Sequence, residues 1–154
     1  MKKNVLLFIA VFSLISIPAV AQEVTYDVDF VRKKIQAGKK EVIEKNMVLS
    51  VQEREVFWPL YLEYQGEMKK VSDRLLKVIE AYVEAYETMT DKQAKILLDD
   101  YYDVEMKRLK LKKSYVKKFR RKLPSKTVTR YFQLENKIES IMKVELAASI
   151  PLVY

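Results

Sequence analysis

From Phe57 to Met89 apolar side chains recur at alternating intervals of four and three: Phe57, Tyr61, Tyr64, Met68, Val71, Leu75, Val78, Tyr82, Ala85 and Met89. Such alternation is the seam of a helix lying nearly parallel to its neighbour in a left-handed supercoil. Leu76, Ile79, Val83 and Tyr86 widen the stripe. The helix it predicts starts at Ser50 and runs about 37 residues, or roughly 55 Å at 1.5 Å per residue. Pro59 lies inside it, lacks a backbone donor and crowds the preceding turn. The pattern therefore allows either a kink near Glu55–Pro59 or two helices broken at Trp58.

Three more helices follow from the same periodicity. The first spans Asp29–Asn46, with Val28, Val31, Ile35, Val42 and Ile43 on one side and Lys and Glu opposite. Asp27 or Asp29 can cap it. Gly38 sits in its stripe, where it either weakens the helix or permits a close helix contact. The third runs from Thr90 to about Arg121, on a stripe of Ala94, Leu97, Leu98, Tyr101, Val104, Leu111, Tyr115 and Phe119. Asp91 opens it and basic residues close it, as the helix dipole favours. Leu123-Pro124-Ser125 ends it. The fourth covers Lys126 to Ala147, with Val128, Tyr131, Leu134, Ile138, Ile141 and Met142 inward. The apolar tail Ile150–Tyr154 is expected to dock or pair. After the first 21 residues glycine occurs only at 38 and 66, and proline only at 59, 124 and 151. So few breakers argue against tight-turned sheets. The expected fold is all-α: about four helices, one or two of them long and antiparallel, as a hairpin, bundle or cradle.

Two helix starts are marked alike, forty residues apart: Leu49-Ser50-Val51-Gln52-Glu53 and Met89-Thr90-Asp91-Lys92-Gln93. Each is a capping box. The hydroxyl of Ser50 or Thr90 accepts from the backbone three residues on, and Glu53 or Gln93 accepts from the cap's own N–H. Helix initiation accounts for every polar residue in them. Outside the boxes the two stretches do not align, so they describe a bundle rather than a repeat array.

The N-terminus changes the picture of compartment. Lys2 and Lys3, an apolar run from Val5 to Ile17, Pro18 and the small-x-small Ala19-Val20-Ala21 read as a secretory signal over residues 1–21. A single helical domain over 22–154 is then expected, exported to the periplasm or secreted. The apolar run is short for a bilayer span of about 20 residues. Losing residues 1–21 removes two lysines and no acids, so the net charge falls from +8 to +6. The chain has no Cys and no His. That excludes disulfides, thiolate nucleophiles, Cys metal sites, and the commonest general base and transition-metal ligand.

Candidate chemistry is correspondingly thin. Between Lys107 and Lys122 stand ten cations and no acid: Lys107, Arg108, Lys110, Lys112, Lys113, Lys117, Lys118, Arg120, Arg121 and Lys122. One reading is a solvated face at a helix C-terminus, where each cation gains ~0.3–1 kcal/mol. The other is a surface for acidic partners, since like charges at i,i+4 repel and exceed what the dipole needs. Outside the cytoplasm those partners are acidic unfolded proteins or an anionic membrane surface, not nucleic acid. Phe57-Trp58-Pro59-Leu60-Tyr61 is the richest aromatic patch, and its residues cannot all face one core. Part of it, with Phe57, Trp58 and Tyr61 as candidates, is expected at the surface or in a dimer seam. Asp99, Asp100, Asp103 and Glu105 read as a solvated acidic face rather than a metal site. No phosphate loop, nucleophile elbow or other catalytic spacing is present, so no enzyme, cofactor or metal is expected.

With a signal segment, a small helical chain and paired L-[ST]-x-x-[QE] boxes, the chain resembles the Spy/CpxP-type periplasmic proteins, the LTXXQ-motif family. Leu49–Glu53 departs from that motif at both polar ends, and Met89–Gln93 only in Met for Leu. Phe57-Trp58-Pro59-Leu60-Tyr61, Met89-Thr90-Asp91 and Leu123-Pro124-Ser125-Lys126 are similar to a branch of small exported proteins. The likeness covers roughly residues 27–153. It implies an antiparallel homodimer shaped as a thin cradle, acting as a chaperone without ATP. Clients would lie on a concave surface mixing basic and apolar residues, here Phe57, Trp58, Tyr61, Lys107, Arg108, Lys112, Lys113, Lys117, Lys118, Arg120 and Arg121. It also implies an alternative: a regulatory adaptor docking on an envelope sensor domain, without catalytic activity.

Overall fold

The computed structural model describes residues 38–153 of the chain. The signal segment, the expected contributions of Val28, Val31 and Ile35 to the first helix, and Tyr154 lie outside them. Among the described residues there are four α-helices, a short 3-10 turn and no strand: α1 (38–46), α2 (Val51–Ala85), the turn Tyr86–Thr88, α3 (Asp91–Arg120) and α4 (Ser125–Ser149). The chain is an all-α bundle.

Both helix starts are capping boxes. Ser50 Oγ accepts from the Glu53 N–H at 3.2 Å, and the Ser50 N–H donates to Glu53 Oε2 at 2.8 Å. Thr90 Oγ1 accepts from the Gln93 N–H at 3.3 Å, and the Thr90 N–H donates to Gln93 Oε1 at 3.0 Å. Four orphan backbone donors at each helix start cost stability unless met, and these side chains meet part of that need. Glu53 does more than cap. Its Oε1 accepts from Thr127 Oγ1 at 2.9 Å, tying the start of α2 to the first turn of α4.

α2 runs unbroken through Pro59. The proline sits on an exposed face in the third turn, so its ring and missing donor disturb no packed neighbour. A Cβ placed on Gly38 meets nothing within 4 Å, so that glycine permits no close helix contact.

The core lies at one end. Ile43 and Met47 from α1 and the loop after it, Phe57, Leu60, Tyr61, Tyr64 and Met68 from α2, Tyr115 and Phe119 from α3, and Val128 and Tyr131 from α4 form one buried cluster. α2 packs most extensively on α3, and less extensive contacts join α3 to α4. α1 reaches both α2 and α4: Lys39 bonds to Gln65 and Glu135, and Arg130 Nε donates to the Asn46 carbonyl at 2.6 Å. Toward the other end the bundle opens. Among the described residues nothing in α2 after Met68, in α3 before Val104 or in α4 after Glu135 is fully buried.

Several expectations change accordingly. Leu98 and Tyr101 of α3, and Ile141 and Met142 of α4, are exposed rather than inward, Ile141 at 61%. They lie beyond the closed end, where no described residue of α3 before Val104 or of α4 after Glu135 is fully buried. The tail docks in part. Tyr82 donates to the Pro151 carbonyl at 2.7 Å and Ile150 and Pro151 are half-buried, while Leu152 and Val153 face solvent.

Candidate functional site

Most of the aromatic patch on α2 is core. Phe57 is fully buried and Tyr61 nearly so, which corrects the expectation that they offer a client surface. The physical reason is that α2 is covered on two sides: by α3 and α4 on its seam, and by α1 beside it. Trp58 is half-buried with Lys40 Nζ 5.6 Å from the centre of its ring, and only Pro59 of the five residues is exposed. Tyr131 is the hub of the packed rings. Its centroid lies 5.1 Å from those of Phe57 and Phe119, 6.0 Å from Tyr61 and 4.8 Å from Phe132.

A buried polar knot interrupts this core. Glu135 of α4 is 2% exposed. Its Oε1 accepts from Lys39 Nζ at 2.6 Å and from Gln65 Nε2 at 3.1 Å. Lys39 also donates to Gln65 Oε1 at 3.0 Å, and Gln65 Nε2 to the Tyr131 hydroxyl at 3.3 Å. Three helices thus meet on one carboxylate. Its other oxygen and the Tyr64 hydroxyl are buried without a hydrogen-bond partner among the described residues. Burial first, and the Glu135 charge second, push the phenols of Tyr61, Tyr64 and Tyr131 well above the ordinary tyrosine range. Sequence reasoning missed this knot. Its signal was there: Glu135 stands four residues after Tyr131 and three before Ile138, inside the apolar stripe.

The basic run divides by direction around α3. Arg108 and Lys112 face α4 and are consumed by it. Lys112 bonds to Glu139 and Asn136, and Arg108 lies 3.5 Å from Glu139 Oε1 and 3.2 Å from Glu105 Oε1. Lys143 closes the network on Glu105 at 2.6 Å. These two cations are packing residues rather than a free docking surface. Lys118 faces α2 and shares Glu63 Oε1 with the Tyr115 hydroxyl, at 2.8 and 2.9 Å. Lys107, Lys110, Lys113, Lys117, Arg120, Arg121 and Lys122 point to solvent. None of those seven has a carboxylate within 4 Å among the described residues.

The outward cations border an open groove. Its upper stretch, about 540 Å3, lies between α2 and α3 over Val71 and Leu111, with Lys70, Arg74, Lys107 and Lys110 around it. Its lower stretch is a shallow strip on the face of α3 alone, bordered by Lys113, Lys117, Lys118 and Arg121. Lys110 and Ser114 line both. Leu98, Tyr102, Met106 and Leu109 are exposed on the same helix, Tyr102 at 63%. Asp100 of the acidic cluster is tied to Arg74 at 3.5 Å. Among the described residues no group of three carboxylates is placed to hold a metal, and no helix is long and apolar enough to cross a membrane.

The ion pairs across the helices make stability depend on acid. Burial raises Glu139, but Lys112, Arg108 and Lys143 together hold its carboxyl below the usual range. Lys118 first and Tyr115 second do the same for Glu63, and the Ser50 N–H first and Thr127 second for Glu53. A depressed carboxylate stabilises the fold fully above its unfolded pKa of about 4.3 and less as pH falls through the lower folded value. The midpoint of thermal unfolding is therefore expected to hold steady down to about pH 5 and to fall below about pH 4. Glu139→Gln should show a smaller acid-induced fall, measured by circular dichroism.

Compared with protein-family models, curated proteins and solved structures, the chain matches none.

Proposed function

We propose that this protein is an ATP-independent holding chaperone of the cell envelope. On this reading it is exported, works as a homodimer in the periplasm, and binds unfolded or acidic client proteins without catalysing a reaction. One observation carries the proposal: unpaired cations and large exposed apolar side chains share the outward side of α3. Lys110, Lys113 and Lys117 stand beside Met106 and Leu109, each of the last two about half exposed. A surface of that kind attracts a chain by charge and retains it by apolar burial, with no site to be closed. The likeness to Spy/CpxP-type proteins and the secretory character of residues 1–21 support the same reading.

The test is aggregation of a chemically denatured client followed by light scattering. The purified chain lacking residues 1–21 is expected to suppress it at low salt and less at high salt, because exposed charges are screened beyond about 10 Å at 0.1 M. Absence of suppression at equimolar or higher chain would overturn the proposal. Capture of one folded partner in a saturable complex, with indifference to denatured clients, would favour docking on a sensor domain instead.

A further inference from the structure

We infer that the groove along α3 is a binding site for an extended acidic polypeptide segment with carboxylates at alternate positions and an apolar anchor at one end. This rests on the client-holding reading and names the kind of segment held. The charges around the groove are one-sided. Lys107, Lys110, Lys113, Lys117 and Arg121 have no carboxylate partner among the described residues, and the groove's own acid, Glu67, is occupied by Lys70 at 2.6 Å.

The spacing of the cations fits an extended partner. Lys113, Lys117 and Arg121 recur every four residues, a rise of about 6 Å along a helix. Alternate residues of an extended chain are about 6.6 Å apart and point the same way. A carboxylate at every second position of an extended chain therefore keeps step with successive cations. From Lys107 to Arg121 α3 rises about 21 Å, which accommodates roughly six extended residues. The apolar anchor belongs at the upper end, over Val71, Val104 and Leu111, the apolar side chains that line it. A flat anionic membrane could meet the lysine tips but could not reach those side chains.

The experiment uses a dye-labelled peptide of leucine followed by three glutamates separated by serines, read by fluorescence anisotropy at low salt. Saturable binding is expected. Lys113→Glu with Lys117→Glu should weaken it about tenfold, since two attractive pairs are lost and replaced by repulsion. Ser114→Trp, at the junction of the two stretches, should weaken it comparably with no change of charge. Lys92→Glu with Lys95→Glu, at the opposite end of α3, should leave it within twofold. Circular dichroism confirms that each variant is folded. Equal affinity for the peptide with glutamine in place of glutamate, or indifference to Ser114→Trp, overturns the site. So does binding to phosphatidylglycerol vesicles in place of the peptide. Peptide binding without suppression of client aggregation removes the chaperone reading and leaves this site standing; suppression without peptide binding does the reverse.

Discussion

Replacing Tyr131 by alanine is expected to destabilise the bundle by about 3–5 kcal/mol, the range for truncating a large buried aromatic. Tyr131 is fully buried and its ring neighbours Phe57, Tyr61, Tyr64, Phe119 and Phe132. Those five come from all three long helices, so the cavity would open where α2, α3 and α4 meet. Rings cannot flow into a hole as an aliphatic core partly can, because each is held by its own neighbours. The hydroxyl matters less. Tyr131→Phe removes only the acceptor for Gln65, and neutral hydrogen bonds contribute ~0.5–1.5 kcal/mol. Urea denaturation should place alanine far below phenylalanine. Total stability of a domain is about 5–15 kcal/mol, so the alanine variant would sit near the edge of folding. A loss for alanine no larger than for phenylalanine would show that the rings are not the keystone.

Lys39→Met is expected to cost about 3 kcal/mol, the low end for breaking a buried ion pair, because some of the lysine side chain reaches solvent. Among the described residues it removes the one cation bonded to Glu135, whose second oxygen has no partner there. The carboxylate would then be stranded in a core of rings. Glu135→Leu in the same chain should recover most of the loss, since a buried pair replaced by apolar groups is often neutral. Comparing the two single variants with the double variant isolates the coupling between Lys39 and Glu135. Additive losses would mean that Lys39 holds α1 by packing rather than by charge. The same pair ties α1 to α4 beside the buried Ile43 and Met47.

The helices were legible because their signals are local. Capping boxes at Ser50 and Thr90, the Leu123-Pro124-Ser125 break and the scarcity of glycine each act within a few residues, and the boundaries of α2, α3 and α4 agree to within two residues. The site was legible only in part. The run from Lys107 to Lys122 is visible as charge, but its division into paired and free cations is not. A helix turns 100° per residue, so neighbouring lysines face different partners, and which one meets Glu139 or Glu63 depends on how α2 and α4 lie. Phe57 and Tyr61 were misplaced at the surface for a related reason. Five successive residues go all round a helix, so which of them are covered depends on how many neighbours pack against it.

Periodicity and caps by themselves determined that this chain is helical, where its helices begin and end, and that each has an apolar side. Those are properties of one segment and its own backbone. Tertiary structure alone decided how far each apolar side is covered. It closed one end of the bundle around Tyr131, left the stripes beyond Met68, Val104 and Glu135 partly open, and set Glu135 inside the core against Lys39. Burial and ion pairing are relations between segments distant in sequence, so no single stripe or charge run could state them in advance.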